Sequence, residues 1–566
     1  MNDQLERPRR MRWGYPAVII VLALGAILWL RVREAVYLEF ITVLILILAA
    51  FGLAFWYIFL TGLRWRTRLL LAGVGVIAIA GFGVGLRKLT RVDGSIGGSG
   101  LPRLAWKWSP PMDAAAGKLV MATNKPAAIP MTAIGAVSFP GFLGPDRSGI
   151  VHGVSLARDW KTSPPRQLWR RPVGVGWSAF AVAGGRAITQ EQRGEQELIV
   201  AYDLATGSPV WACTNLVRFK EALGGDGPRA TPTVRDGRVY VMGATGILNC
   251  LEESTGKLVW TRDVLRENNL KNITWGKSCS PLRVGRLVVV TGGEEKEKSL
   301  LAYAAVNGEP VWQSGRDRAS YSSAMVATVA GQQQILIVTG HSVTGHDPDN
   351  GRILWEYPWP GEYAKVAQPL PLDTNLVLVA TGYGIGCSLL RIEPSSLGEW
   401  TVTEVWKNRN LKPKFSSPVP RGNYVYGLDD GTLVCLDRTT GHRVWKAGKY
   451  GYGQILLVED VLLIQAEPGD IVLVEATPDG HRELARLPAL PGKTWNNPVL
   501  AGDLLLVRND REAACYRLAL ATGGLAGSVA TSSHQLSPRR STTPSSATAG
   551  RKPRMPRFSI SKSSSQ

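Results

Sequence analysis

One twelve-residue pattern recurs through the chain, and it restricts the possible folds more than any other feature. Residues 434–445 read VCLDRTTGHRVW: alternating apolar residues, an acidic residue, a Thr-Thr-Gly turn, and a tryptophan four residues after the glycine. Each copy predicts a strand, a tight turn and a second strand. The same pattern occurs at 200–211, 249–260, 301–312 and 344–355.

A repeat tryptophan occurs seven times, at intervals of 39 to 52 residues. These residues are Trp169, Trp211, Trp260, Trp312, Trp355, Trp406 and Trp445. A further copy ends in Leu484, and a polar or aromatic lead-in with an apolar strand precedes each unit. A period of about 40–50 residues with this turn chemistry is typical of propeller blades. The eight copies predict an all-β, eight-bladed propeller.

The two ends of the repeat array complement each other. The last unit, residues 495–520, lacks its closing strand and tryptophan, whereas residues 166–173 (RQLWRRPV) form an unpaired strand of that type before the first unit. Pairing of this strand with the last blade would remove an exposed sheet edge. We therefore expect the ring to be closed by its N-terminal strand.

The recurring residues have structural roles in this interpretation. The glycine can adopt a left-handed turn conformation at no steric cost, and the tryptophan is expected to lie across the neighbouring blade. The acidic residue eight positions earlier (Asp203, Glu252, Asp347, Asp437) is expected to accept hydrogen bonds from turn amides. The turn glycines of these copies are Gly207, Gly256, Gly308, Gly351 and Gly441.

Three apolar runs near the N-terminus predict transmembrane helices: 16–30, 35–60 and 69–86. Arginines before the first run and between the second and third outnumber the Lys and Arg on the opposite side, seven to five. The positive-inside rule then places the N-terminus inside and the C-terminal domain outside. The predicted location is the inner (cytoplasmic) membrane, multi-pass, with the propeller on the periplasmic side.

The chain is accordingly divided into four parts. Residues 1–90 are expected to form a three-helix transmembrane anchor, 91–138 a flexible Gly/Pro/Ala-rich linker, and 139–522 the propeller. Residues 523–566 form a basic Ser/Pro/Arg-rich tail that is expected to be disordered. This tail supplies seven of the 20 net positive charges, so the net charge does not by itself indicate a nucleic-acid partner, and none is expected.

At these repeats the chain resembles the eight-bladed propellers with pyrroloquinoline quinone (PQQ)-type, tryptophan-docking repeats. Its segment 139–151 (FPGFLGPDRSGIV) is similar to the Phe-x-Gly-Pro-x-Arg-x-Gly stretch that precedes PQQ-like propellers. The resemblance covers residues 139–520 and implies the fold. The family contains both quinoprotein dehydrogenases and cofactor-free outer-membrane assembly factors of the BamB type, so the fold alone does not assign an activity.

The dehydrogenases of this family hold PQQ between a tryptophan and a disulfide of adjacent cysteines, beside a Ca²⁺ ion with carboxylate ligands. Here the six cysteines are scattered, and the lead-ins to the blades contain Asp226 as their only carboxylate. The candidates for a quinone platform are Trp177, Trp275 and Trp495. We predict no catalytic residues, no metal site and no cofactor, with PQQ and Ca²⁺ as the alternative.

The same lead-ins contain basic residues interleaved with aromatic ones. If all of them line one mouth of the channel, they form a basic and aromatic rim that could receive an acidic peptide or an anionic ligand. A solvated rim of ordinary lysines is the other interpretation. The candidate rim residues are Arg229, Lys277, Lys365, Lys414, Lys493, Tyr321 and Tyr452.

The sequence therefore predicts a membrane-anchored, extracytoplasmic propeller that acts as a non-catalytic protein-interaction platform. By resemblance, the setting is cell-envelope or outer-membrane protein assembly, with protein partners in the envelope. The alternative is a PQQ-dependent dehydrogenase that is coupled to membrane quinone.

Overall fold

The structure is a computed structural model that describes residues 13–32, 38–60, 63–110, 117, 119–121, 138–293, 298–396 and 398–521. Three long apolar helices come first: α1 (Gly14–Val32), α2 (Leu38–Phe55), which continues as a π-helical turn (Trp56–Leu60), and α3 (Trp65–Leu89). All three are long and apolar enough to cross a membrane. The predicted basic tail lies outside the described residues, and so do residues 7–12, whose arginines contribute to the predicted topology.

Residues that the sequence analysis assigned to a flexible linker form a β-hairpin directly after α3. Strand β1 (Thr90–Ser95) pairs antiparallel with β2 (Pro102–Trp106), and the tip between them contains a 3₁₀ turn (Gly97–Ser99). The glycines that suggested a tether instead form the tip, where Gly97 and Gly100 have φ of +56° and +79°. The rest of the predicted linker is described only at 107–110, 117, 119–121 and 138.

Two short strands precede the blades: β3 (Ile150–Val151) and β4 (Arg166–Pro172). Each of the first four blades is a four-stranded antiparallel sheet whose strands follow one another in the chain. Blade 1 contains β5 (Ala181–Ala183), β6 (Arg186–Arg193), β7 (Gln196–Asp203) and β8 (Pro209–Asn215). Blade 2 contains β9 (Thr233–Arg235), β10 (Arg238–Met242), β11 (Ile247–Glu252) and β12 (Leu258–Asp263), followed by the one-turn helix α4 (Val264–Glu267). Blade 3 contains β13 (Leu282–Val284), β14 (Leu287–Thr291), β15 (Leu300–Ala304) and β16 (Pro310–Ser314). Blade 4 contains β17 (Met325–Val329), β18 (Gln332–Val338), β19 (Ser342–His346) and β20 (Ile353–Pro358).

The remaining four blades complete the predicted eight. Blade 5 contains β21 (Leu370–Pro371), β22 (Leu376–Thr381), β23 (Gly386–Pro394) and β24 (Trp400–Asn408). Blade 6 contains β25 (Val419–Arg421), β26 (Tyr424–Asp429), β27 (Thr432–Asp437) and β28 (Arg443–Lys449). Blade 7 contains β29 (Gln454–Val458), β30 (Val461–Gln465), β31 (Asp470–Glu475) and β32 (Glu483–Pro488), with β3 added parallel to β29. Blade 8 contains β33 (Val499–Ala501), β34 (Leu504–Arg508) and β35 (Glu512–Arg517). The predicted fold class is confirmed.

Ring closure also follows the prediction. Strand β4 pairs antiparallel with β35 as the outermost strand of blade 8, and Trp169 lies opposite Cys515. The last blade therefore has four strands, of which described residues 499–517 supply three. The pairing covers the edge that β35 would otherwise expose.

The repeat tryptophans clasp neighbouring blades together. The indole N–H of Trp169 donates to Leu204 O of blade 1 at 3.0 Å, and that of Trp211 donates to Glu253 O of blade 2 at 2.9 Å. Bonds of the same kind run from Trp260, Trp312, Trp406 and Trp445 to the next blade. Trp355 differs, since its indole donates to Gln334 within its own blade at 2.6 Å. Buried aliphatic residues fill the spaces between adjacent sheets.

The Asp residues of the repeat bind the turns that follow them. Asp203 Oδ1 accepts from Ala205 N–H and Thr206 N–H at 3.1 and 2.9 Å, and Asp437 Oδ1 accepts from Thr440 N–H at 2.8 Å. These bonds pull the pKa of the Asp437 carboxyl below its usual range. The hydrogen bonds of these carboxylates therefore stabilise the turns.

Candidate functional site

The loops that lead into the innermost strands, together with the β22–β23 turn, bring aromatic side chains together at one end of the channel. There they surround a cavity of about 200 Å³. The aromatic residues that line it at this end are Trp177, Trp275, Tyr321, Tyr383, Phe415 and Trp495. We call these residues, together with Lys414, Tyr452 and Glu467, the funnel mouth. All three tryptophans that the sequence analysis named as possible quinone platforms belong to it.

Ring-to-ring packing holds the funnel mouth in one arrangement. The ring centroids of Trp177 and Trp495 are 4.9 Å apart, and Phe415 lies 4.7 Å from Trp495. Phe415 also contacts Tyr452, at 5.7 Å. Offset and edge contacts of this kind add to the stabilisation that burial of the rings provides.

Two lysines lie over these rings. Lys414 Nζ is 4.4 Å from the ring centroid of Tyr452, and Lys493 Nζ is 4.1 Å from that of Trp495. Burial lowers the pKa of both ammonium groups, that of Lys493 to about 8. A cation over an aromatic face in a poorly solvated site is attracted more strongly than one in water. The funnel mouth therefore combines aromatic surface with positive charge.

The tip of the β1–β2 hairpin sits in the funnel mouth. Gly98 N–H donates to Glu467 Oε1 at 2.6 Å, and Lys414 Nζ donates to Gly98 O at 2.6 Å. Gly98 is so close to Tyr452 that a Cβ atom on it would overlap the tyrosine ring. The tip residues Ser95, Gly97, Gly98 and Gly100 form part of the cavity wall.

Hydrogen bonds from the propeller itself orient the Glu467 side chain for this contact. Its Oε1 accepts from the indole N–H of Trp495 at 2.7 Å, and its Oε2 accepts from Tyr452 N–H at 3.2 Å. Glu467 was not among the residues predicted from the sequence, because it lies outside the lead-ins to the blades. This residue lies instead in the Ala-Glu-Pro-Gly turn between β30 and β31.

Two of the predicted rim lysines do not face solvent, which corrects that part of the interpretation. The side chain of Lys277 is fully buried, and its Nζ donates to Thr291 O at 2.6 Å and to Gly292 O. Lys365 is also buried and donates to Gly361 O at 2.7 Å and to Gly340 O. Burial lowers the pKa of each to about 8. These lysines bind backbone carbonyls, so they serve the propeller's structure.

Arg229 and Tyr321 also have structural contacts at the cavity wall. Arg229 Nε donates to Trp275 O at 2.9 Å, and the Tyr321 hydroxyl donates to the same carbonyl. The guanidinium of Arg229 stacks over Phe219 with its central carbon 4.5 Å from the ring centroid. Both side chains therefore hold the loop that presents Trp275 to the cavity.

The segment that the resemblance identified, 139–151, runs from blade 1, where Phe139 pairs with Val182, to blade 7, where β3 pairs with β29. Between these two pairings, Phe142 lines the cavity. The buried guanidinium of Arg147 donates to Ser280 O and Pro281 O of the loop before β13, at 3.0 and 2.6 Å, and to Ala324 O before β17. The cavity thus lies between two segments that both precede the first blade.

The donor set around the cavity does not fit PQQ with Ca²⁺. Glu467 is engaged by three N–H donors, and Asp226, the lead-in carboxylate, pairs with Arg218 at 2.8 Å. No group of three or more His, Cys, Asp or Glu side chains among the described residues could hold a metal ion. The cysteines are all unbonded to each other, and no two are adjacent in sequence. We derive no reaction step through this cofactor.

Two characterised proteins resemble the chain in sequence. Outer membrane protein assembly factor BamB of Shewanella oneidensis is 22% identical over 324 residues, which cover 53% of this chain and 76% of that protein. Tetrathionate hydrolase of Acidithiobacillus ferrooxidans is 25% identical over 218 residues, covering 38% of this chain. The match spans only 36% of the hydrolase's length.

Solved structures show the same fold. Quinohemoprotein alcohol dehydrogenase ADHIIG of Pseudomonas putida HK5 matches with a TM-score of 0.50 at 13% identity, over 71% of this chain and 83% of that one. A protein-family model described as outer membrane protein assembly factor BamB matches residues 161–263 and 195–447, together just over half of the chain. With its eight blades and this match over just over half of its length, the chain belongs to this family of PQQ-like propellers.

Proposed function

We propose that the protein is a membrane-anchored interaction platform that binds protein partners in the cell envelope and takes part in outer-membrane protein assembly. The observation that carries the proposal is the funnel mouth, where Lys414 and Glu467 bind the main chain of a polypeptide segment. Aromatic rings around these two charges supply apolar contact area, as in the cores of protein interfaces. We assign the site no cofactor.

The proposed orientation places the propeller outside the cytoplasmic membrane with its funnel mouth towards the bilayer. Strand β1 begins one residue after α3 ends, and six residues of strand span only about 20 Å. Trp106 and Trp108 at the base of the hairpin stack with centroids 4.9 Å apart and are 50% and 67% exposed. Exposed tryptophans beside a transmembrane helix are typical of the membrane interface.

The family match supports an assembly role over an enzymatic one. The family model and one sequence relative both carry the description of an outer membrane protein assembly factor. The hydrolase match covers about a third of that enzyme, and the dehydrogenase match is a likeness of fold.

Site-specific photo-cross-linking in living cells tests the interaction role. A photoreactive amino acid at Tyr363, which is 44% exposed and stacks on Tyr383 of the funnel mouth, should capture a defined envelope protein. The matched position is Val306, 80% exposed on a turn at the outer side of blade 3. Identical adducts from both positions would reject the funnel mouth as the binding surface.

Two further measurements address location and chemistry. Alkaline phosphatase fused after residue 110 should be active if the propeller is periplasmic, and inactive fusions would reverse the proposed topology. Addition of PQQ and Ca²⁺ to the purified protein should give neither saturable binding nor dye-linked alcohol oxidation. Turnover in that assay would contradict the platform proposal.

A further inference from the structure

The funnel mouth recognises its occupant through the main chain of one residue. Glu467 accepts from Gly98 N–H and Lys414 donates to Gly98 O, so two opposite charges bind the two polar groups of the same glycine. No side chain of the occupant takes part in either bond. Tyr452 excludes any Cβ atom at this position, which makes glycine a requirement.

Both binding groups also have contacts within the propeller itself. Glu467 is fixed by Trp495 and by the main chain of Tyr452. The ammonium group of Lys414 lies over the rings of Tyr383 and Tyr452, at 4.9 and 4.4 Å. A site that is preorganised in this way retains its shape when the occupant leaves, which lowers the cost of binding another one.

The space behind the hairpin tip extends the site. The cavity of about 200 Å³ continues from Gly98 towards Trp275 and Phe142. Its lining is largely apolar, and the glycines of the tip (Gly97, Gly98 and Gly100) have no side chains to fill it. A polypeptide with the same glycine turn and an apolar side chain next to it would fill more of the cavity than the hairpin does.

We propose that the funnel mouth is a receptor for a glycine turn of a polypeptide partner, and that the β1–β2 hairpin occupies this receptor in cis. The inference rests on the proposed function and names the kind of segment that the platform binds. The hairpin is tethered next to its site, which gives it an effective concentration on the order of millimolar. A partner segment must therefore displace the hairpin. This competition raises the partner concentration that is needed for binding.

Fluorescence anisotropy with a labelled peptide of residues 90–106 tests the proposal on the full chain in detergent micelles. The wild-type chain should bind the peptide weakly because its own hairpin fills the site. Gly98→Leu in the chain should expel the tip and tighten peptide binding at least tenfold. Ile96→Leu, which places a leucine at a 59% exposed position of the same tip, is the matched control and should behave as the wild type.

Two specificity controls accompany this measurement. Adding Glu467→Gln to the Gly98→Leu chain should weaken peptide binding again, since a neutral amide accepts less strongly than a carboxylate. A peptide that itself carries Gly98→Leu should not bind any of the chains. Equal binding of the unmodified peptide to wild type and Gly98→Leu, or no binding to a folded Gly98→Leu chain, would overturn the proposal.

Hydrogen exchange keeps the proposal testable if Gly98→Leu does not fold. In the wild-type chain, residues 95–100 should exchange at least tenfold more slowly than in Glu467→Gln, and equal rates would count against docking. Peptide binding without any cross-linked envelope protein would retain the receptor while rejecting the proposed function. Cross-linking without peptide binding would support the proposed function and reject the glycine-turn receptor.

Discussion

Gly207 of blade 1 lies against the indole of Trp169, the tryptophan that the closing strand β4 contributes to blade 8. A Cβ atom on Gly207 would come within 2.6 Å of the indole ring. The same contact joins Gly256 to Trp211 and Gly441 to Trp406. At Gly207 it joins the two ends of the chain's ring, so this clasp helps to keep the propeller closed.

Replacing this glycine should destabilise the ring more than backbone strain alone does. Gly207→Ala places a Cβ atom in the indole and also forces alanine into φ of +70°. Gly185→Ala is the matched control, because Gly185 has φ of +74° but has no atom within 4 Å of the added Cβ. We expect a loss of about 1 kcal/mol for the control and about 2–4 kcal/mol for Gly207→Ala. Thermal unfolding measures both, and equal losses would show that the clasp tolerates a methyl group.

Charge reversal at Lys277 should unfold the propeller locally and not act through partner binding. Lys277→Glu would place a carboxylate opposite the carbonyl oxygens of Thr291 and Gly292 in a fully buried site. A loss of about 3–5 kcal/mol is expected from such an unpaired buried charge. Lys220→Glu, on the exposed surface, should change stability by less than about 0.5 kcal/mol. If Lys277→Glu had the same melting temperature as the wild type, the bonds from Lys277 to the two carbonyls would not stabilise the propeller.

The buried carboxyl of Glu197 should make stability fall as the pH rises. Burial raises its pKa from 4.5 to about 7, against the opposing hydrogen bond from Ala244 N–H, which is 2.9 Å long. Between pH 4.5 and 7 the folded chain therefore binds more protons than the unfolded chain, so the free energy of unfolding decreases across this window. Glu197→Gln should remove this decrease and stabilise the protein at pH 8 by on the order of 2–3 kcal/mol.

The matched control for this titration is Glu195→Gln. The Glu195 side chain is 83% exposed and lies two residues away. The difference in free energy of unfolding between this variant and the wild type should be constant from pH 4.5 to 7. Parallel pH profiles for wild type and Glu197→Gln would contradict the buried-carboxyl assignment.

Arg147 should require its guanidinium group and not only its charge. The group donates to three backbone carbonyls, of Ser280, Pro281 and Ala324, in the loops that lead to two different blades. Lysine cannot present donors in this planar fork, so Arg147→Lys should cost about 2–4 kcal/mol. Arg158→Lys, in a 44% exposed ion pair with Asp460, should cost less than about 1 kcal/mol. Equal melting temperatures for the two variants would reject the bridging role of Arg147.

The sequence predicted the blades well because each repeat is a local structure. The turn glycine, the acidic residue before it and the tryptophan after it lie within twelve residues, and their spacing indicates strands and a hairpin directly. The unmatched strand around Trp169 likewise predicted ring closure. Prediction was poorer at the funnel mouth, because lysines in similar lead-in sequences have different surroundings in the fold. Lys277 is buried among backbone carbonyls, whereas Lys414 lies over aromatic rings.

The composition of residues 94–100, rich in glycine and serine, suggested a tether and concealed the hairpin. Glycine-rich segments are flexible when they stand alone, but here β1 and β2 pair with each other and the tip is bound by groups of two blades. A pattern search confined to the lead-ins likewise passed over Glu467, which lies in a turn. Neither the hairpin tip nor the role of Glu467 can be recognised from neighbouring residues in the sequence, because each depends on contacts with distant residues.

The repeat pattern of the amino-acid sequence was thus sufficient for the number of blades and their strand order, and the continuous apolar runs were sufficient for the three N-terminal helices, because these features depend on residues close together in the chain. The binding site depends on contacts between distant residues: Gly98 is separated from Lys414 by 316 positions and from Glu467 by 369. Ring closure brings these segments together and determines which lysine side chains are buried. The architecture is therefore a property of short-range sequence, whereas the charge and shape of the funnel mouth arise from long-range packing.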